Sequence, residues 1–259
     1  MKNIKYLAIG VLVALSLASC EKDTEGLTDI TYYPDLKMEG DAFMIVPVGT
    51  SFVDPGCTGT LYDPSTGNSI DVTGQIQVSG ADEVDPNTMG FYYVTYSAPG
   101  SDGYLASVTR TICVCDPTVT IDMGGTYNTD MTASLYGAAQ NPFSAYAAAY
   151  GYTDQCTGIK FTKLAPGFYQ VNDLLGGWYD QIRGFKAQYG SSLGCMTGNV
   201  SLDNEGNIQL IDSHIDAWGD ALDYIEDATF DPETGVISYF ASYAEGVVTM
   251  TIVLNRVSD

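Results

Sequence analysis

Residues 232–257 read PETG VISYFASY AEG VVTMTIVLNRV. In the last run Val248, Met250, Ile252 and Leu254 alternate with Val247, Thr249, Thr251, Val253 and Asn255. Side chains that switch sides at every residue belong to a strand with one face in a core. Pro232 to Gly235 and Glu245 with Gly246 are turn signals, so 236–243 and 247–257 read as a hairpin. Working back towards Val119, the rhythm repeats. Strands are expected at 126–135, 158–164, 167–173, 197–202, 208–214, 223–230, 236–243 and 247–257, with Asn204 to Asn207 as another turn. Short connections in sequence order predict an antiparallel β-meander. It should curl into a barrel or sandwich, a lipocalin-like closure being one form, because closure removes exposed edges.

Upstream of Asp116 and Pro117 the same all-β texture holds, without a helical stripe. Strands are expected at 30–37, 43–48, 69–78, 91–97 and 105–115, the last two a hairpin across Pro99 to Gly103. Arg110 interrupts the apolar row of its strand and is expected near an edge. About 85 residues of this pattern suit a small antiparallel sandwich. Pro117 cannot continue a central strand, so the boundary is placed there, giving modules 30–116 and 117–259.

The N-terminus carries Lys2 and Lys5, an apolar run from Tyr6 to Leu17, then Ala18, Ser19 and Cys20. That run is shorter than the roughly 20 residues needed to span a bilayer and has the build of a secretory signal. The segment resembles the bacterial lipobox, which implies a signal peptide over 1–19, lipidation of Cys20, and a polar tether over 20–29. Membrane attachment through that lipid is therefore expected. The acidic residues around Lys22 are similar to the export tag of Bacteroidetes lipoproteins. This implies the outer membrane, on the cell surface or alternatively its periplasmic face.

The chain has 32 acidic and 10 basic residues, and Lys2 and Lys5 leave with the signal. Such a charge repels phosphate backbones, which excludes nucleic acid as a partner. Once Cys20 is lipidated an odd number of cysteines remains: Cys57, Cys113, Cys115, Cys156 and Cys195. Pairing of Cys156 with Cys195, and of Cys57 with Cys113 or Cys115, would keep each bridge inside one module. No C-x-x-C pair exists and His214 is the sole histidine, so no zinc spacing is present. No glycine-rich phosphate loop precedes a helix, and no cofactor or metal is expected.

Val48, Gly49, Ser51, Phe52, Asp54, Pro55 and Gly56, then Gly90, Tyr92, Val94 and Tyr96, then the strand 110–114, resemble the Ig-like domain of bacterial surface proteins. Over about a third of the chain this implies a spacer or presentation module. Gly125 to Tyr127, Pro166 to Tyr169, Asp173 to Trp178, Trp218 to Asp220 and Asp231 to Gly235 are similar to the C-terminal domain of a Bacteroidetes lipoprotein family of undefined function. That resemblance implies an accessory protein of a polysaccharide-utilisation system, with a polysaccharide or oligosaccharide as ligand and an outer-membrane transport partner.

Aromatic residues are abundant, with 19 Tyr, 9 Phe and 2 Trp. Trp178 and Tyr179 follow a glycine pair, and Trp218 lies among Asp and Gly. A sugar ring offers C–H groups to an aromatic plane, and Asp173, Asp180, Asp216 or Asp220 would accept its hydroxyl protons. Trp178, Tyr179, Trp218 and Asp220 are therefore the candidate ligand contacts. The competing and commoner reading has both indoles plugging the core. Residues 141–152 are expected to form a short helix, since Ala145 and Ala147 to Ala149 favour one, and 180–189 a helix or loop. The acidic series from Asp212 to Asp227 lacks calcium-loop spacing and reads as a solvated face. No carboxylate pair or nucleophile stands in a distinctive motif, and His214 falls among the polar positions of its strand, so no catalytic residue is assigned. A non-catalytic glycan-binding or accessory protein is expected. A structural or protein-interaction component of an outer-membrane complex is the alternative, and a glycoside hydrolase the weakest reading.

Overall fold

The computed structural model describes residues 30–257. The expected signal peptide, the expected lipidation site Cys20 and the whole of the expected tether lie outside the described residues. Among the described residues no helix is long and apolar enough to cross a membrane. The chain is all-β and divides into two compact units. One comprises residues 56–77 and 96–108 with the chain up to 39; the other holds 40–55, 78–95 and everything from 109 onward.

Among the described residues seven strands precede Asp116: β1 (Asp35–Met38), β2 (Phe43–Pro47), β3 (Cys57–Asp63), β4 (Asn68–Asp71), β5 (Gln77–Ser79), β6 (Gly90–Pro99) and β7 (Leu105–Cys115). In the first unit β3 is central, pairing antiparallel with β1 and β4. Pro64 to Gly67 form the tip of the β3–β4 hairpin, and β3 is a strand absent from those expected. The expected continuous strand 69–78 is broken at residues 73–75, where the Asp71 carboxylate accepts the Thr73 N–H at 2.8 Å and turns the chain.

The second sheet has the order β2-β7-β6-β5. Its β2–β7 pair is parallel, Ile45 opposite Cys113, which corrects the purely antiparallel expectation. Arg110 is also corrected, because β7 is an interior strand and this side chain is fully buried. Its guanidinium donates to the Asp41 carbonyl and lies 3.6 Å from the Asp54 carboxylate. A buried charge persists only when so matched.

The meander follows: β8 (Gly125–Thr129), β9 (Leu135–Tyr136), β10 (Asn141–Pro142), α1 (Phe143–Tyr150), β11 (Ile159–Ala165), β12 (Phe168–Val171), a π-helical turn (Trp178–Ile182), α2 (Phe185–Tyr189), β13 (Met196–Leu202), β14 (Ile208–Ile215), β15 (Leu222–Asp231), β16 (Val236–Tyr243) and β17 (Val248–Arg256). These strands form one curled antiparallel sheet of ten. β17 pairs with β16, β8 and β9. The edges β14 and β15 are tied near their ends, by Phe230 N–H to the Gly206 carbonyl and Leu222 N–H to Ser213 Oγ, both 2.8 Å. Alternation places Met250, Ile252 and Leu254 of β17 in the core with Ile237, Tyr239 and Ala241 of β16. At roughly 1.5–3 kcal/mol per buried large apolar side chain, that face dominates the module's stability.

All five described cysteines are free thiols, which corrects the expected pairings. Cys156 Sγ faces the Gly177 carbonyl at 3.8 Å and Cys195 Sγ the Asp180 carboxylate at 3.1 Å. Each thiol thus has its own acceptor. Cys113 and Cys115 share one buried face of β7, as their spacing requires.

Candidate functional site

The segment between β12 and β13 is organised by Asp173. Its carboxylate, 1% exposed, accepts N–H bonds from Leu175 (3.0 Å), Gly177 (2.9 Å) and Met196 (3.3 Å). Burial nevertheless pushes its carboxyl up to about 7; the three N–H groups oppose this shift and the neighbouring Asp180 adds to it. Gly177 has φ +86°, and a Cβ there would meet Cys156 Cβ at 2.9 Å, so the turn needs glycine. The π-helical turn leaves this point with Trp178 and Tyr179 aimed in different directions.

Trp178 goes into the core. Its indole stacks on Tyr136 with ring centres 4.0 Å apart and planes within 10°, meets Tyr146 edge-on at 5.0 Å, and touches Phe143 of α1. At 1% exposure it cannot meet a ligand, and it leaves the set of candidate contacts. Its Nε1–H has no acceptor among the described residues. The buried Asp173 and Asp180 likewise serve the fold, Asp180 accepting from the Gly194 N–H at 2.8 Å.

Tyr179 faces the other way, into an aromatic group at the surface. Trp218 lies 4.8 Å from it at 76°, Phe185 lies 5.4 Å from it, and Phe185 also meets Trp218 at 6.0 Å and Tyr189 at 5.6 Å. The Tyr179 hydroxyl contacts that of Tyr243. Burial pushes the Tyr179 phenol up to about 12; the Tyr136 field adds to this, Arg183 opposes it, and Asp220 adds again. Trp218 is 40% and Tyr189 64% exposed. The Trp218 turn is fixed by Gly219 N–H to the Ile215 carbonyl (2.9 Å) and by Ala217 N–H to the Leu193 carbonyl (3.1 Å). That second bond ties it to the segment carrying Tyr179.

Of the sequence candidates, then, Tyr179 and Trp218 come together, and Asp220 sits exposed on the same turn. Asp216 is engaged by His214 at 3.4 Å. Phe185 and Tyr189 were missed, although their i, i+4 spacing on α2 puts them on one helix face. Arg183 was missed as well; its guanidinium carbon lies 5.1 Å from the Tyr150 ring centre and 6.0 Å from that of Tyr179. The expected helix over 141–152 is present as α1, ended by Gly151 at φ +74°. A separate cavity of about 310 Å3, lined by Pro166, Phe168, Leu202 and Asn204 among others, presents no such aromatic group.

Comparison with known proteins gives two family matches. Residues 36–114 match the bacterial surface protein Ig-like domain, and 116–256 match a family described as a C-terminal domain. No curated protein matches the sequence. Among solved structures, the lipoprotein BT2262 from Bacteroides thetaiotaomicron is similar at 28% identity, covering 86% of this chain and all of that one, with a TM-score of 0.41. A structure of CBM51-2 in complex with GlcNAc and INT domains from Clostridium perfringens ZmpB is similar at 21% identity, over 54% of this chain and 29% of that one, with a TM-score of 0.23. The second family match spans more than half of the sequence, so the chain belongs to that family, its C-terminal domain preceded by a bacterial surface Ig-like module.

Proposed function

We propose that this protein is a non-catalytic, lipid-anchored lipoprotein of the outer-membrane surface that binds glycan as an accessory component of a polysaccharide-utilisation system. The sugar would lie on the surface formed by Trp218, Tyr179, Phe185 and Tyr189. The observation that carries this reading is the setting of Trp218, an indole left 40% exposed yet held edge-on by two other rings. An exposed aromatic with a fixed orientation gives contact area at little ordering cost. Asp220 is free in position to accept sugar hydroxyl protons, while Asp173 and Asp180 are not. The lipid on Cys20 would hold the protein at the membrane, with a transport protein of the same system as its partner.

Affinity electrophoresis of the mature protein through gels containing different polysaccharides tests this reading. Retardation by at least one polymer is expected, lost on Trp218→Ala with the melting temperature unchanged. Migration unaffected by every polymer would refute glycan binding and favour a protein-interaction role.

A further inference from the structure

Next to the aromatic surface lies a cation without a counter-charge. Arg183 is half-buried between the rings of Tyr150 and Tyr179. Among the described residues no carboxylate lies within ion-pairing distance of it, and its guanidinium donates no hydrogen bond to any of them. This is unusual in a chain with 32 acidic residues. Arg110 has the Asp54 carboxylate and the Asp41 carbonyl, and Arg256, likewise set between two rings, donates to the Asp122 and Gly124 carbonyls.

The surroundings of Arg183 are also depleted of acid. Residues 181–202, which contain it, and residues 131–153, which supply Tyr150, hold no Asp or Glu. Asp180 is turned inward to the Gly194 N–H and Cys195. Asp220 acts on Tyr179 but makes no ion pair with the arginine. The more distant carboxylates are screened over a Debye length of about 10 Å at 0.1 M salt. On the Tyr150 side of the aromatic group the nearest charge is therefore Arg183, with Lys186 one helical turn away, while Asp220 acts from the Trp218 side.

A guanidinium is planar, always charged and carries donors in a fork that matches a carboxylate. Two tyrosine rings fix its position while leaving its N–H edges unused. We propose that Arg183 receives the carboxylate of an acidic sugar, so that the ligand class is a uronic-acid-containing glycan rather than a neutral one. The proposal rests on the glycan reading above, with the sugar ring on Trp218 and Tyr179 and its carboxylate on Arg183.

Isothermal titration of the mature protein with oligomers of polygalacturonate, alginate and hyaluronan, each against its carboxyl-reduced counterpart, tests it. At least one acidic oligomer is expected to bind roughly tenfold or more tighter than its reduced form, the scale of one charge-assisted bidentate contact. Arg183→Gln should abolish that preference and leave binding of the reduced oligomer unchanged. Arg183→Lys, which keeps the charge but loses the fork, should recover part of it. Equal or tighter binding of the reduced oligomers, or equal weakening of both forms by Arg183→Gln, would overturn the carboxylate assignment while the aromatic surface stands. Binding of neither form, joined to unaltered migration on all neutral polymers, would remove the glycan reading along with it.

Discussion

Replacing Asp173 by Asn should change how stability depends on pH, by an amount that follows from the burial of this one carboxyl. Its carboxyl is pushed from an ordinary 3.8 up to about 7. Roughly three pH units at 1.36 kcal/mol each make about 4 kcal/mol. Between those values the native protein holds a proton that the unfolded chain has released. The free energy of unfolding therefore falls as pH rises through that window, and the contribution is complete below about pH 4 and gone above about pH 7. Asparagine brings a constant offset, because its amide N–H2 replaces one of the oxygens that accept from Leu175, Gly177 and Met196, but it does not titrate. Urea unfolding of both proteins, followed by fluorescence from pH 4 to pH 8, isolates the effect. The other carboxylates titrate in both proteins and cancel in the difference. Wild-type minus variant stability should decline by about 4 kcal/mol across the range. A constant difference, or one that grows with pH, would show that the three N–H donors outweigh burial and would refute the reasoning.

Trp178→Ala should lower stability by about 3–5 kcal/mol, the cost of emptying a large aromatic site, while Trp178→Phe should cost less, because it also removes an Nε1–H with no acceptor; equal midpoints for the alanine variant and wild type in urea would contradict the burial. Cys113, Cys115 and Cys156 are buried, and burial pushes the Cys113 and Cys156 thiols up to about 12; in native protein at pH 8 they should resist iodoacetamide, and rapid labelling of Cys156, or a 156–195 disulfide found by peptide mapping, would contradict this.

The meander was legible because its information is local. Alternation with Gly-containing turns places β16 at 236–243 and β17 within one residue of its ends, and the same signals locate β12 through β15. β3 was not legible, since Thr58, Gly59 and Thr60 give no apolar alternation; Gly59 is there because Leu36 Cδ2 lies 3.1 Å from where its Cβ would be. The parallel β2–β7 pairing joins segments more than 60 residues apart, and nothing local encodes its direction. Arg110 breaks a strand pattern whether it lies at an edge or in a core; only Asp54 and the Asp41 carbonyl, brought close by folding, decide the matter. The two tryptophans show the same limit at the site. Both stand beside glycine and aspartate, yet Trp178 is drawn inward by Tyr136, Phe143 and Tyr146, residues 32 to 42 positions upstream. Trp218 stays outside because its turn is fastened to the carbonyl of Leu193.

The position of β17 constrains the order of assembly. It is the last strand of its module to be synthesised, and three strands pair with it. Until residues 248–256 are free, β8 and β16 lack the partner that joins them, and the apolar side chains of both remain open to water. The sheet can therefore close only once this strand is free, because a chain lacking it leaves β8, β9 and β16 each without one neighbour.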